Sequence, residues 1–103
     1  MPDVIEVIAE PTRRRILDAL REERAVGEVV SQLKISQPLV SKHLKVLRNA
    51  GLVEVRVDAQ RRLYRVRPEP LRELDAWLAP YRALWSTALD DLERHLDQKK
   101  RSR

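Results

Sequence analysis

The only two glycines of the chain, Gly27 and Gly51, bracket a stretch whose apolar spacing leaves little choice of fold. Val29, Val30 and Leu33 make one apolar face, Lys34-Ile35-Ser36 reads as a short turn, and the Ser36 hydroxyl suits the cap of a further helix. In the segment that follows, Val40, Leu44 and Leu47 stand at i, i+4 and i+7, which puts all three on one side of a helix. Gly51 then sits where a left-handed C-terminal stop belongs. Two short helices joined by such a turn make a helix-turn-helix unit.

With Val40, Leu44 and Leu47 facing inward, the outward face consists of Gln37, Ser41, Lys42, Lys45 and Arg48. No Asp or Glu occurs anywhere from Val29 to Val53. Ordinary solvated helix faces mix both signs of charge, whereas a helix lying in a DNA major groove requires a surface of this kind. Gln pairs bidentately with adenine, Ser and Lys reach base edges or phosphates, and carboxylates would be repelled. The wider charge pattern agrees: residues 1–28 carry a net −2, residues 29–67 carry +7, residues 68–98 carry −4, and Lys99 to Arg103 add +4. One basic segment in a neutral-to-acidic chain is the footprint of a single face that meets a polyanion.

The flanking segments supply a body for this unit. Val4, Ile5, Val7 and Ile8 give an apolar helical face too short to stand alone in water, so it must pack on something. Pro11 suits the first turn of a second helix, with Glu10 before it and Ile16, Leu17 and Leu20 as its buried stripe. A third helix follows near Gly27. After Gly51, Val53, Val55 and Val57 alternate with Glu54, Arg56 and Asp58, the period-two pattern of a half-buried strand. A second strand runs through Leu63, Tyr64 and Val66, so the two form a hairpin with Arg61 and Arg62 near its tip, placed to touch DNA backbone or minor groove.

Beyond the hairpin, Leu71, Leu74, Leu78, Tyr81, Trp85, Ala88 and Leu92 recur at spacings of three and four, and Leu89 widens the seam. A seam of that width exceeds what one small domain needs. Leu78, Tyr81, Trp85, Leu89 and Leu92, with Val4, Ile5 and Ile8, are therefore expected to meet the same surface of a second chain. Pro80 is expected to kink or break this helix near Ala79. A competing use of Trp77, Tyr81 and Trp85 is an aromatic pocket for a small effector.

The 103 residues suit one domain, placed at 1–98, with 99–103 as a disordered basic tail. Two glycines cannot build a phosphate loop or a dinucleotide fingerprint, and the absence of cysteine removes disulfides, thiolate metal sites and cysteine nucleophiles. No nucleophile elbow or metalloprotease motif is present. These features argue against an enzyme and against a bound cofactor. No apolar run exceeds four residues and the first residues lack a secretion signal, so a cytoplasmic protein without a membrane span is expected.

Taken together, the chain resembles the ArsR-type winged helix-turn-helix repressors of bacteria. The similarity lies in Glu-Pro-Thr-Arg-Arg-Arg-Ile-Leu at 10–17, Val-Gly-Glu-Val at 26–29, Ser-Gln-Pro-Leu-Val-Ser-Lys-His-Leu-Lys-Val-Leu-Arg-Asn-Ala-Gly-Leu-Val at 36–53, and Arg-Arg-Leu-Tyr-Arg-Val at 61–66. The resemblance implies a mainly α protein with a small β-hairpin, in the order α-α-α-α-β-β-α(α), dimerising through its N- and C-terminal helices. It also implies a homodimer that represses transcription from an operator in double-stranded DNA. Gln37, Ser41 and Lys42 would read the groove beside the cap Ser36, Lys45 and Arg48 would meet phosphate, and Arg61 and Arg62 would act in the wing. His43 is expected at a phosphate or in a hydrogen-bonded structural role. The family usually has Gly in the wing turn, where Ala59 stands here and disfavours a tight turn. Metal-sensing members carry cysteines around the third helix, where this chain has Ala25, Val26 and Gly27. Asp91 and His95 alone remain at the C-terminal helix, so no metal site is expected. A metal- or small-molecule-responsive repressor, and a winged helix for protein partners, are the alternatives; the sequence names no effector.

Overall fold

The computed structural model describes residues 3–101, with side chains described through residue 99. In chain order the elements are α1 (Val4–Ile8), α2 (Pro11–Ala19), β1 (Arg24–Ala25), α3 (Val26–Leu33), α4 (Gln37–Asn49), β2 (Val53–Asp58), β3 (Arg61–Val66) and α5 (Leu71–Arg101). The chain divides between Arg72 and Glu73 into two compact units.

Three helices of the first unit, α1, α2 and α4, begin where the sequence supplies side-chain caps. The Ile5 N–H donates to the Asp3 carboxylate at 3.0 Å, the Arg13 N–H to the Glu10 carboxylate at 3.0 Å, and the Leu39 N–H to the Ser36 hydroxyl at 3.3 Å. At the other end of α4 the Leu52 N–H reaches the Leu47 carbonyl and the Gly51 N–H reaches the Arg48 carbonyl, each at 3.0 Å. Gly51 adopts φ +77°, the left-handed residue that this double closure needs. Leu52 is thereby turned into the core beside Leu47, and both are fully buried.

That core joins Ile16, Leu20, Val29, Val40, Leu44, Leu47, Leu52 and Val53 with Val4 and Val7 of α1. Here one expectation is corrected. Val4, expected with Ile5 and Ile8 at a partner chain, is buried, because α1 turns Val4 and Val7, three residues apart, toward its own core. Ile5 stays exposed.

Three consecutive arginines of α2 tie helix ends together. Arg13 donates to the Val7 carbonyl at 2.7 Å, Arg14 to the Ile8 and Ala9 carbonyls at 2.7 and 3.0 Å, and Arg15 to the Leu33 carbonyl at 3.0 Å. These last-turn carbonyls of α1 and α3 have no partner within their own helices.

The sheet has three antiparallel strands in the order β1-β3-β2, not the two strands of the expected hairpin. β1 adds Arg24 opposite Tyr64 and Ala25 opposite Leu63. Between β2 and β3, Asp58 pairs with Arg61, which leaves only Ala59 and Gln60 to make the turn. Ala59 takes φ +58°, so the tight turn that alanine disfavours forms with its first residue in the left-handed region.

The second unit consists of the remainder of α5. The helix is continuous through Pro80, so of the kink or break expected near Ala79 the break does not occur. Pro80 lacks the N–H that would bond to the carbonyl of Ala76. Arg82 on one side of it donates to Asp75 on the other at 2.7 Å. Lys99 to Arg101, expected in a disordered tail, continue the helix, while Ser102 and Arg103 lie outside the described residues.

Candidate nucleic-acid interface

α4 buries Val40, Leu44 and Leu47 and leaves Gln37, Ser41, Lys42, Lys45 and Arg48 exposed, the division that its spacing predicts. Ser36 is also exposed, with its hydroxyl held by the cap. Leu39, off the buried stripe, is an apolar side chain 39% exposed, one turn before Lys42. An apolar group on such a face is suited to a thymine methyl.

His43 is placed differently. Its side chain is only 13% exposed, and Nδ1 is buried without a hydrogen-bond partner, 3.8 Å from the Glu10 carboxylate. Partial burial raises the affinity of Glu10 for a proton, but the Thr12 and Arg13 N–H groups, with His43 nearby, outweigh it and hold the carboxyl below its ordinary range. His43 therefore faces the start of α2 and not the open side of α4.

The hairpin sorts the arginines by strand face. Residues paired across the ladder share a face, so Val53, Val55 and Val57 lie with Val66, Tyr64 and Arg62. Glu54, Arg56 and Asp58 lie with Arg65, Leu63 and Arg61 on the other. On that second face the charges cancel. Arg56 makes a bidentate pair with Glu23 at 2.7 Å for each bond, and Arg65 pairs with Glu54. Arg67 lies 3.9 Å from both Glu54 and Glu69, and Arg61 lies 3.9 Å from Asp58. The hydrogen bond from Arg56 is the main cause that holds the Glu23 carboxyl below its ordinary value, and the same contact raises Arg56.

Lys42, Lys45, Arg48 and Arg62 have no ion-pair partner among the described residues. Between α4 and β3 a cleft of about 320 Å³ is lined by Ser41, Leu44, Lys45, Arg48, Asn49 and Tyr64. Nothing in the sequence pattern singled out Asn49 or Tyr64, because Tyr64 reads as an ordinary strand residue.

On α5, Trp77, Tyr81, Leu84, Trp85, Leu89, Leu92 and Leu96 are exposed. The rings of Trp77 and Tyr81 meet at a tilt of 40° with centroids 4.8 Å apart. Asp91 pairs with Arg94, and no cluster of three or more potential metal ligands occurs among the described residues. No helix there is long and apolar enough to cross a membrane.

Comparison with known proteins agrees with this geometry. Residues 10–55 match the family described as bacterial regulatory protein, arsR family. The chain is 38% identical over 93 residues to the HTH-type transcriptional regulator Rv2034 of Mycobacterium tuberculosis, covering 89% of this chain and 84% of that protein. It is 42% identical over 65 residues to the HTH-type transcriptional repressor SmtB of the same species, covering 62% of this chain and 48% of that longer protein. Among solved structures, one described as a possible transcriptional regulator for arsenical resistance superposes with a TM-score of 0.70 at 39% identity, covering 89% of this chain and 94% of the other.

Proposed function

Because the chain belongs to the arsR family of bacterial regulatory proteins, a family of transcriptional regulators and not of enzymes, we propose that it is a DNA-binding repressor acting as a homodimer on an inverted-repeat operator. The observation that carries this reading is the outward face of α4, exposed, free of carboxylates and with its cations unpaired among the described residues. Desolvating such a face against protein would strand its charges, whereas phosphates neutralise them and release bound counterions.

In this reading Gln37, Ser41 and Lys42 address base edges and Leu39 a thymine methyl, while Lys45, Arg48 and Arg62 hold the backbone. Arg62 is preferred to Arg61, which already has Asp58 beside it. His43 supports the junction with α2. The dimer forms through the apolar seam of α5, where Tyr81, Trp85, Leu89 and Leu92 remain exposed, together with Ile5. A patch of this extent on a small chain marks an association surface. A two-fold pair presents its two α4 helices to successive major grooves roughly 34–36 Å apart. The setting is cytoplasmic, where the chromosome lies.

Selection of bound duplexes from a random pool tests the reading. Enrichment of an inverted repeat with half-sites about one helical turn apart is expected. A single asymmetric half-site overturns the dimer, and no enrichment at all overturns sequence-specific repression.

A further inference from the structure

We propose that the cleft between α4 and β3 seats one backbone phosphate of the bound duplex, and that Tyr64 and Asn49 are phosphate-gripping residues beside Lys45 and Arg48. The proposal rests on the DNA-binding reading above and adds to it a specific anion subsite. Ser41, Lys45, Arg48 and Asn49 are spaced at i, i+4, i+7 and i+8 along α4, so they present one ridge. Tyr64 faces that ridge from the central strand, fixed in place because β1 and β2 pair with it at Arg24 and Val55.

The lining is chemically one-sided. Two unpaired cations stand with three neutral donors, namely the Ser41 and Tyr64 hydroxyls and the Asn49 amide, and no carboxylate reaches the cleft. The Tyr64 hydroxyl, on a half-buried side chain, has no hydrogen-bond partner among the described residues. A larger cleft on the opposite strand face, about 690 Å³, is lined by four arginines, but Glu23, Glu54 and Glu69 line it too and pair with three of them, Arg56, Arg65 and Arg67. Of the two, only the smaller one combines cations and neutral donors with no carboxylate in its lining, the combination that an oxyanion requires. Its position between the recognition helix and the wing lets one phosphate bridge both elements, fixing the register of α4 in the groove.

The test uses Tyr64→Phe, which keeps the ring and removes only the hydroxyl, and Asn49→Ala as a second variant. Binding is measured on selected and random duplexes across a salt series. Tyr64→Phe is expected to weaken both by the same factor, about tenfold, with an unchanged salt slope because no charge is lost. Duplexes carrying one uncharged methylphosphonate at successive positions should reveal one position per half-site that weakens the wild type but weakens neither variant further. Wild-type binding that Tyr64→Phe leaves untouched, or losses that add at every position, overturns the cleft assignment alone. A wild type that binds no duplex at low salt overturns it together with the DNA reading. Saturable binding of inorganic phosphate at constant ionic strength, abolished in Tyr64→Phe, would assign the cleft to a free anion and overturn the duplex assignment.

Discussion

The two faces of the hairpin treat their arginines in opposite ways: Arg56, Arg61 and Arg65 share one face, and Arg62 stands alone on the other. On one face Arg56, Arg65 and Arg67 each lie against a glutamate. On the other, Arg62 has no carboxylate partner among the described residues, and neither have Lys45 and Arg48 of α4. Counting basic residues over 29–67 therefore overstates what a polyanion can meet. Part of the positive charge holds strands and loops together, and only the remainder is open to a phosphate backbone.

The largest effect should come from the unpaired group. The double variant Lys45→Ala, Arg48→Ala is expected to lose about a hundredfold in affinity for any duplex and to reduce the salt slope by about two, as read by fluorescence anisotropy. An unchanged slope would remove both from the backbone contacts. Gln37→Ala should cost about 1–3 kcal/mol on the selected operator and far less on random DNA. Equal losses on both would show that Gln37 does not read bases. Within the hairpin, Arg62→Ala should lower the slope by about one and Arg61→Ala by less; the reverse order would break the distinction between the faces.

Two smaller effects concern stability. Ala59→Gly should raise stability by about 0.5–1 kcal/mol, since glycine relieves the left-handed alanine at the turn but gains freedom in the unfolded chain. Thermal melting measures it, and DNA affinity should stay the same. Glu23→Gln should lower the melting temperature at neutral pH without altering DNA affinity. The folded state holds the Glu23 carboxyl below its ordinary value of 4.5, so its contribution is complete above that pH and fades as pH falls further. Wild type and variant should thus converge in acid; a difference that persists at low pH would assign the effect to something other than the ion pair with Arg56.

What the sequence reveals of this molecule is what depends on neighbours along the chain. The stripe Val40, Leu44 and Leu47, the Ser36 cap and the Gly51 stop are local signals, and α4 follows them residue by residue. β1 escapes such reading because two residues hold no periodicity, and Arg24–Ala25 becomes a strand only by pairing with Leu63 and Tyr64 far along the chain. The same limit hides which arginines are neutralised, since Glu23 precedes β1 while its partner Arg56 lies on β2. The side on which Val4 lies is hidden in the sequence because Val4, Ile5, Val7 and Ile8 look equivalent in a one-turn helix until the core selects a side. Pro80 carries a real local cost, yet α5 extends far enough on both sides to remain one helix.

The arginine run at 13–15 has a practical corollary for anyone mapping the contact surface by neutralising cations one at a time. Removing Arg13, Arg14 or Arg15 unlatches the ends of α1 or α3, and α3 is the first arm of the helix-turn-helix. Each such change is expected to weaken DNA binding through the fold alone, whatever the guanidinium does at the duplex. A melting curve recorded beside every binding curve separates these false positives from true contacts.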